Sequence, residues 1–172
     1  ALQLCPDAKV ISGDMESYSK CSHEVTEIIA DAAPLFEKSS IDEFYIDASG
    51  MDRYFGAFTW AVELRKKIIH ESGLPISLGM SVNKLVSKVA TGEFKPNAEK
   101  QIPAGTEKEF LAPLTVDKIP MIGKQTASFL YDMGVRKVET LREIPLKFLV
   151  STFRKNGISL WNKAHGIDES QV

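Results

Sequence analysis

The chain has 172 residues, 44% hydrophobic and 26% charged, an ordinary globular composition that suffices for one good core or two small ones. No apolar run approaches the ~18 residues of a membrane span, and a formal net charge of −2 argues against a surface that binds nucleic acid indiscriminately. Cys5 and Cys21 suggest no disulfide framework, so a reduced, cytoplasmic protein with no membrane partner is expected.

Ala1 to about Ser12 reads as the tail of something begun upstream. From Met15 to Ala33 apolar residues recur at helical spacing, and Pro34 stops the pattern. Phe36 to Ala48 reads as a strand region and Ser49-Gly50 as a turn. Ala57 to His70 reads as an amphipathic helix with Ala57, Trp60, Ala61, Leu64 and Ile68 inward and Glu63, Arg65, Lys66 and Lys67 outward. Leu74 to Met80 follows as an apolar strand. A third helix is expected from Asn83 to Thr91, ending near Gly92. Residues 98–120 read as loops, and beyond them short helices are expected at about 124–133, 138–143, 146–153 and 158–165. The expected class is therefore α/β or α+β, with helices packed on one face of a sheet, then a small all-helical unit after a boundary near Pro103. Residues 1–102 carry a net charge of −4 and residues 103–172 a net of +2, which makes the second part mildly basic.

Three constellations could carry chemistry. Asp42 and Glu43, with Asp47 nearby, head an apolar aromatic run. Carboxylates there need a partner, a cation or an outlet to solvent. Because neighbouring strand residues point to opposite faces, Asp42 and Glu43 can converge only near a strand end or a turn. Oxygen ligands of this kind suit Mg²⁺, and strand-end acids reaching water are the alternative. Next, Lys84 and Lys88 stand one turn apart on one helix face, and Lys95 follows on the exit loop beside Pro96 and Asn97. Such a row suits a polyphosphate or a nucleic-acid backbone, and it suits equally a solvated helix face. Last, the run from Ile119 to Leu130, with Gly134 closing its helix, places an apolar, glycine-bearing loop at a helix start, where free amides can take a phosphate. That is the pattern of a helix-hairpin-helix or of a plain helical corner. His23, His70 and His165 lie far apart, without metal-ligand spacing.

The order and spacing of these runs resemble the Y-family translesion DNA polymerases, in their DinB- or UmuC-like (ImpB/MucB/SamB) branches. Ser40-Ile41-Asp42-Glu43-x-Tyr45-x-Asp47 looks like that family's S-I/V-D-E-x-Y-L-D motif. Ser81-x-Asn83-Lys84-x-x-x-Lys88 with Lys95-Pro96-Asn97 is similar to its S-x-N-K-x-x-A-K and K-P-N motifs. Leu4-Cys5-Pro6-Asp7-Ala8 resembles the end of its fingers region, and Gly157 to Asp168 resembles the last thumb helix. Met121 stands where the first Gly of the family's G-I-G hairpin usually lies.

The resemblance implies a fingers remnant at 1–14, a catalytic palm at 15–102 and a thumb at 103–172 containing a helix-hairpin-helix. It implies template-directed DNA synthesis across damage by two-Mg²⁺ nucleotidyl transfer, with Asp42 and Glu43 as metal ligands and catalytic residues. Lys95, and secondarily Lys88, would contact the incoming deoxynucleoside triphosphate. Gly123, Lys124 and Gln125, with Lys84, would bind the DNA of a primer–template. The family's first catalytic Asp lies on an earlier strand, so this monomeric piece is expected to be inactive alone, and sliding-clamp contact is expected through a later region. A palm-type nucleotide cyclase and a non-catalytic DNA-binding or docking module are the competing readings.

Overall fold

The structure, a computed structural model, describes residues 2–51 and 56–172. Ala1, the first residue of the expected fingers remnant, lies outside them. Residues 2–14 are exposed turns and coil leading to α1 (Met15–Ala32). Asp14 caps α1 by accepting from the Ser17 amide at 3.1 Å and the Ser17 hydroxyl at 2.6 Å. The buried face is Ser22, Val25 and Ile29, continued by Ala33, and the chain leaves the helix just before Pro34.

The expected single strand around the carboxylates is instead an antiparallel hairpin, β1 (Phe36–Lys38) and β2 (Phe44–Ile46). Local polar bonds explain the break. Ser40 Oγ donates to Asp42 Oδ1 at 2.8 Å, and the Ser39 and Ser40 amides both donate to the Glu43 carbonyl. Short polar side chains that bond their own backbone compete with a continuous ladder. β1 and β2 lay Phe36, Phe44 and Ile46 against Val25, Ile29 and Leu64.

α2 (Ala57–Ser72) ends on Gly73 in the left-handed conformation, φ 70°. Its inward face is Ala61, Leu64 and Ile68, with Ala57 and Trp60 only half-buried. Arg65, expected outward, is also buried, at 8% exposure. β3 (Leu78–Met80) is shorter than the apolar run. α3 (Lys84–Phe94) crosses over to β4 (Glu99–Gln101), which pairs in parallel with β3. α3 runs past Gly92, its inner face anchored by buried Leu85, Val86, Val89 and Ala90. It can lie directly on β3 because Gly79 has no side chain. A Cβ there would meet the Ser87 carbonyl oxygen at 2.3 Å.

Among the described residues the strands thus form two separate pairs, β1–β2 and β3–β4, where one sheet was expected. After β4 the expected loops contain α4 (Glu107–Leu111) and a short 3₁₀ helix (Val116–Lys118). Then come α5 (Lys124–Asp132), α6 (Val138–Glu143), α7 (Leu146–Phe153) and α8 (Lys155–Ala164). α8 starts earlier than its sequence pattern indicated because Gly157 is packed on α7, where a Cβ would meet the Leu149 carbonyl oxygen at 2.2 Å. Leu111, Val116, Leu130, Val138, Leu141 and Leu149 form one core with the inner face of α3. No described helix is long and apolar enough to cross a membrane.

Candidate functional site

The turn between β1 and β2 carries Asp42 and Glu43, so the pair sits at a strand entrance, the one place where adjacent residues can face one site. Ser40 orients Asp42 through its hydroxyl, and the Glu43 side chain reaches away toward α3. Asp47, at the far end of β2, accepts from the Ser49 amide at 2.8 Å and caps the following turn. A bond from the Ser49 side chain, with that from the Ser49 amide, holds its carboxyl below the ordinary value.

α3 presents its lysines to this hairpin. Lys88 Nζ donates to Glu43 Oε2 at 2.6 Å, and Lys84 Nζ donates to Glu37 Oε2 at 2.6 Å. Tyr45 stands between the two pairs, with the Lys84 ammonium 4.8 Å from its ring centre. The Lys88 ammonium is held above its ordinary pKa, chiefly by the bond it donates to Glu43. Burial raises the Tyr45 phenol. The lysine face is therefore an ion-paired wall of the site. Lys95 is exposed at the C-terminal end of α3 and lines the same groove. The groove encloses about 1760 Å³ between the two strand pairs, bordered by Asp42, Glu43, Lys84, Lys88, Lys95 and Asp168.

Two supporting arrangements adjoin these residues, and the first of them carried no motif. Arg65 donates from Nε to the Ile76 carbonyl at 2.7 Å and from NH2 to Asn97 Oδ1 at 2.6 Å, and its NH1 pairs with Glu99 at 2.7 Å. It fastens α2 to the loop that follows Lys95. Its position, four residues after Ala61 and three before Ile68, put it on the apolar face, and that spacing was the available signal. The second is the N-terminus of α3. Asn83 Oδ1 accepts from the Val86 amide at 3.0 Å, as a helix cap should, and Asp168 Oδ2 accepts from the Leu85 amide at 3.0 Å.

The loop before α5 is not part of the groove's lining, though Ile119 to Ile122 border a smaller cavity with Lys88 and Gly92. Ile119 and Ile122 are buried and pin it, while Met121 projects between them, 91% exposed. Met121 takes φ 70°, the left-handed conformation that glycine favours. Lys163 Nζ donates to the Pro120 carbonyl at 2.9 Å. Gly123, Lys124 and Gln125 are exposed, and no side chain caps α5. Lys84, grouped with these residues in the sequence, instead lies in the groove, bonded to Glu37 and to the Gln171 carbonyl.

The donor chemistry of Asp42 and Glu43 suits Mg²⁺, which needs one or two carboxylates and takes its remaining oxygens from phosphates and water. No cluster of three or more His, Cys, Asp or Glu occurs among the described residues.

Over its whole length the chain is 38% identical to a DNA polymerase IV of Yersinia enterocolitica, covering 49% of that protein. It is 35% identical to a DNA polymerase IV of Dehalococcoides mccartyi, covering 44%. The chain thus spans about half the length of the curated relatives it matches. Among solved structures, DinB from Sulfolobus solfataricus superimposes with a TM-score of 0.86 at 23% identity, over 99% of this chain and 51% of that one. An insertion ternary complex of Dbh DNA polymerase gives a TM-score of 0.85 at 24% identity, over the same shares. Residues 1–92 match the impB/mucB/samB family, and the chain belongs to that family, that of the Y-family, DinB-type DNA polymerases.

Proposed function

We propose that the groove is part of the active site of a translesion DNA polymerase, with residues 15–102 as its palm, 103–172 as its thumb and 1–14 as a remnant of its fingers. The observation that carries this reading is the meeting of two motifs distant in sequence. The acid turn and the lysine helix join directly through Glu43 and Lys88 at 2.6 Å. Anionic ligands and a cationic row on one groove are what a nucleotide polyphosphate and its counter-ion require.

Asp42 and Glu43 would hold Mg²⁺, which when bound supplies charge neutralisation to phosphoryl transfer. Asp42, oriented by Ser40, and Glu43 face the end of a primer strand. Lys95 and Lys88 bind triphosphate oxygens, which requires Lys88 to exchange Glu43 for phosphate or to bridge both. Arg65 keeps the Lys95 loop in place through Asn97. The exposed amides of Gly123, Lys124 and Gln125 bind the phosphates of a primer–template without reading its sequence.

Primer extension tests the reading. In the longer protein, Asp42→Ala should abolish extension while the far-UV circular dichroism spectrum and the melting temperature stay as they were. An Asp42→Ala protein that extends primers like its parent sinks the assignment. The 172-residue chain, with a carboxylate pair only, should extend no primer. It should still bind duplex DNA with an affinity that falls linearly on a log–log plot against salt.

A further inference from the structure

Residues 166–171 return from α8 to the groove and fasten onto the first turn of α3. Asn83 Nδ2 donates to the Gly166 carbonyl at 2.8 Å, and Lys84 Nζ donates to the Gln171 carbonyl at 3.0 Å. Asp168 makes the central contact. Its Oδ2 accepts from the Leu85 amide at 3.0 Å, and its Oδ1 accepts from the Ser170 amide at 3.1 Å and the Ser170 hydroxyl at 2.7 Å. The Leu85 amide is one of the first donors of α3, which have no partner within the helix. A carboxylate at that end also meets the positive pole of the helix dipole. The carboxylate that completes this helix start comes from 83 residues further along the chain.

α3 cannot absorb a shift at this end by sliding freely. It lies on β3 at Gly79, where even a Cβ would collide with the Ser87 carbonyl oxygen. A loosened first turn therefore displaces Lys84 and turns the helix about its Gly79 contact at Ser87, which reorients Lys88 beside it.

We infer that Asp168 is a positioning residue for the lysine row: by holding the start of α3 it fixes where Lys84 and Lys88 stand against Glu37 and Glu43, and it ties the end of the helical region to the polyphosphate site. The inference rests on the reading of that row as a polyphosphate site. Asp168 touches no substrate and acts through the lysines.

The test uses the 172-residue chain with dATP and Mg²⁺ as the probe, and a primer–template duplex as the second ligand. Asp168→Ala should weaken dATP binding about tenfold, the scale of a lost helix-capping bond. Duplex affinity and its salt slope should stay within about twofold, since the α5 loop lies elsewhere. Asp168→Asn, which keeps an acceptor for the Leu85 amide, should recover most of the loss. In a Lys84→Ala, Lys88→Ala background Asp168→Ala should cost nothing further, because residues acting through one another are not additive. Hydrogen exchange at the Leu85 amide should quicken in Asp168→Ala without any ligand present. If Ala costs the fold, Asp168→Ser replaces it, since Ser cannot span to the Leu85 amide.

Binding of dATP unchanged by Asp168→Ala, or an equal loss for dATP and duplex that persists in the lysine-free background, overturns the inference. Should the lysine substitutions themselves leave dATP binding intact, the polyphosphate reading of the row fails instead. That failure is visible without any Asp168 variant.

Discussion

Around the groove, Val25, Ile29, Leu64 and Ile68 form a small core whose walls, Phe36, Phe44, Ile46 and Trp60, are only partly covered. Beyond Ile102, Leu111, Val116, Leu130, Val138 and Leu141 are fully enclosed in a core that reaches back to α3. The region with the carboxylates keeps an open face and thin packing, and the helical region has the dense interior. α3 belongs to both, with its lysines toward the groove and Leu85, Val86, Val89 and Ala90 in the large core. On the proposed reading, stability and chemistry fall on opposite sides of one helix. A site held this way can carry unpaired charges and an opening for substrate without loosening the elements that set its geometry.

The sharpest way to break this contrast is truncation of one leucine on each side. Leu130→Ala should cost about 3–5 kcal/mol, because its fully enclosed site cannot collapse around the cavity. Leu64→Ala, beside half-covered walls that can move, should cost about 2–3 kcal/mol. Urea unfolding of both variants measures the difference, and equal costs contradict the packing contrast.

The two close glycine contacts come next in size. Gly157→Ala forces α8 away from the Leu149 carbonyl, and Gly79→Ala forces α3 away from β3. Each should cost about 1–3 kcal/mol, as overpacking does. They should differ in function. Gly79→Ala moves the lysine row and should weaken triphosphate binding, whereas Gly157→Ala should leave it close to the parent value. Thermal melts together with dATP titrations separate the two.

Much of this division could be read from residue order. Helical spacing gave α1, α2, α3 and α5 to within a few residues, because each has an amphipathic face and a stop signal. The family resemblance implies Glu43 at the metal and Lys88 at the triphosphate; their direct bond to each other is a finding of the structure. Neither residue's spacing indicates how the two lie across the groove. What escaped was set by long-range partners. β4 is Glu99-Lys100-Gln101, a polar triplet with no strand signature that exists because β3 offers it a parallel edge. The hairpin turn was hidden because its serines and Asp42 stop the strand through hydrogen bonds that only three dimensions reveal. The charge of Arg65 points to solvent, while its position lies on the apolar face of α2. Its partners Ile76, Asn97 and Glu99 are remote in the chain.

Charge removal at the open face should hardly touch stability. Glu43 and Lys88 are each about two-fifths exposed, 40% and 39%, so solvent screens their pair, and Glu43→Gln should change unfolding free energy by less than about 1 kcal/mol. Primer extension by the longer protein should nonetheless collapse. A stability loss as large as that of Leu64→Ala means that Glu43 is a structural residue, and the groove then loses its special character.

The smallest expected effect is in the acid limb of the stability curve. At Asp168 burial works against the charge, yet the Ser170 bonds and the Leu85 amide outweigh it and keep the folded carboxyl below its ordinary value of 3.8. A group lowered in the folded state stabilises fully above its unfolded value, and that contribution fades as pH falls through the folded one. The tie between residues 166–171 and α3 should therefore weaken below about pH 4. Lys88, raised by Glu43, behaves in the opposite sense, and its share is lost only as pH climbs past 10.5. Between these limits the two groups should contribute a flat background. Melting temperatures recorded from pH 2.5 to 6 should fall less steeply for Asp168→Asn than for the parent chain. The flattening stays partial, because hydrogen bonds also hold Asp14 and Asp117 below their ordinary values. Parallel curves for the variant and its parent show that Asp168 carries no such linkage, and its hold on α3 is then independent of charge.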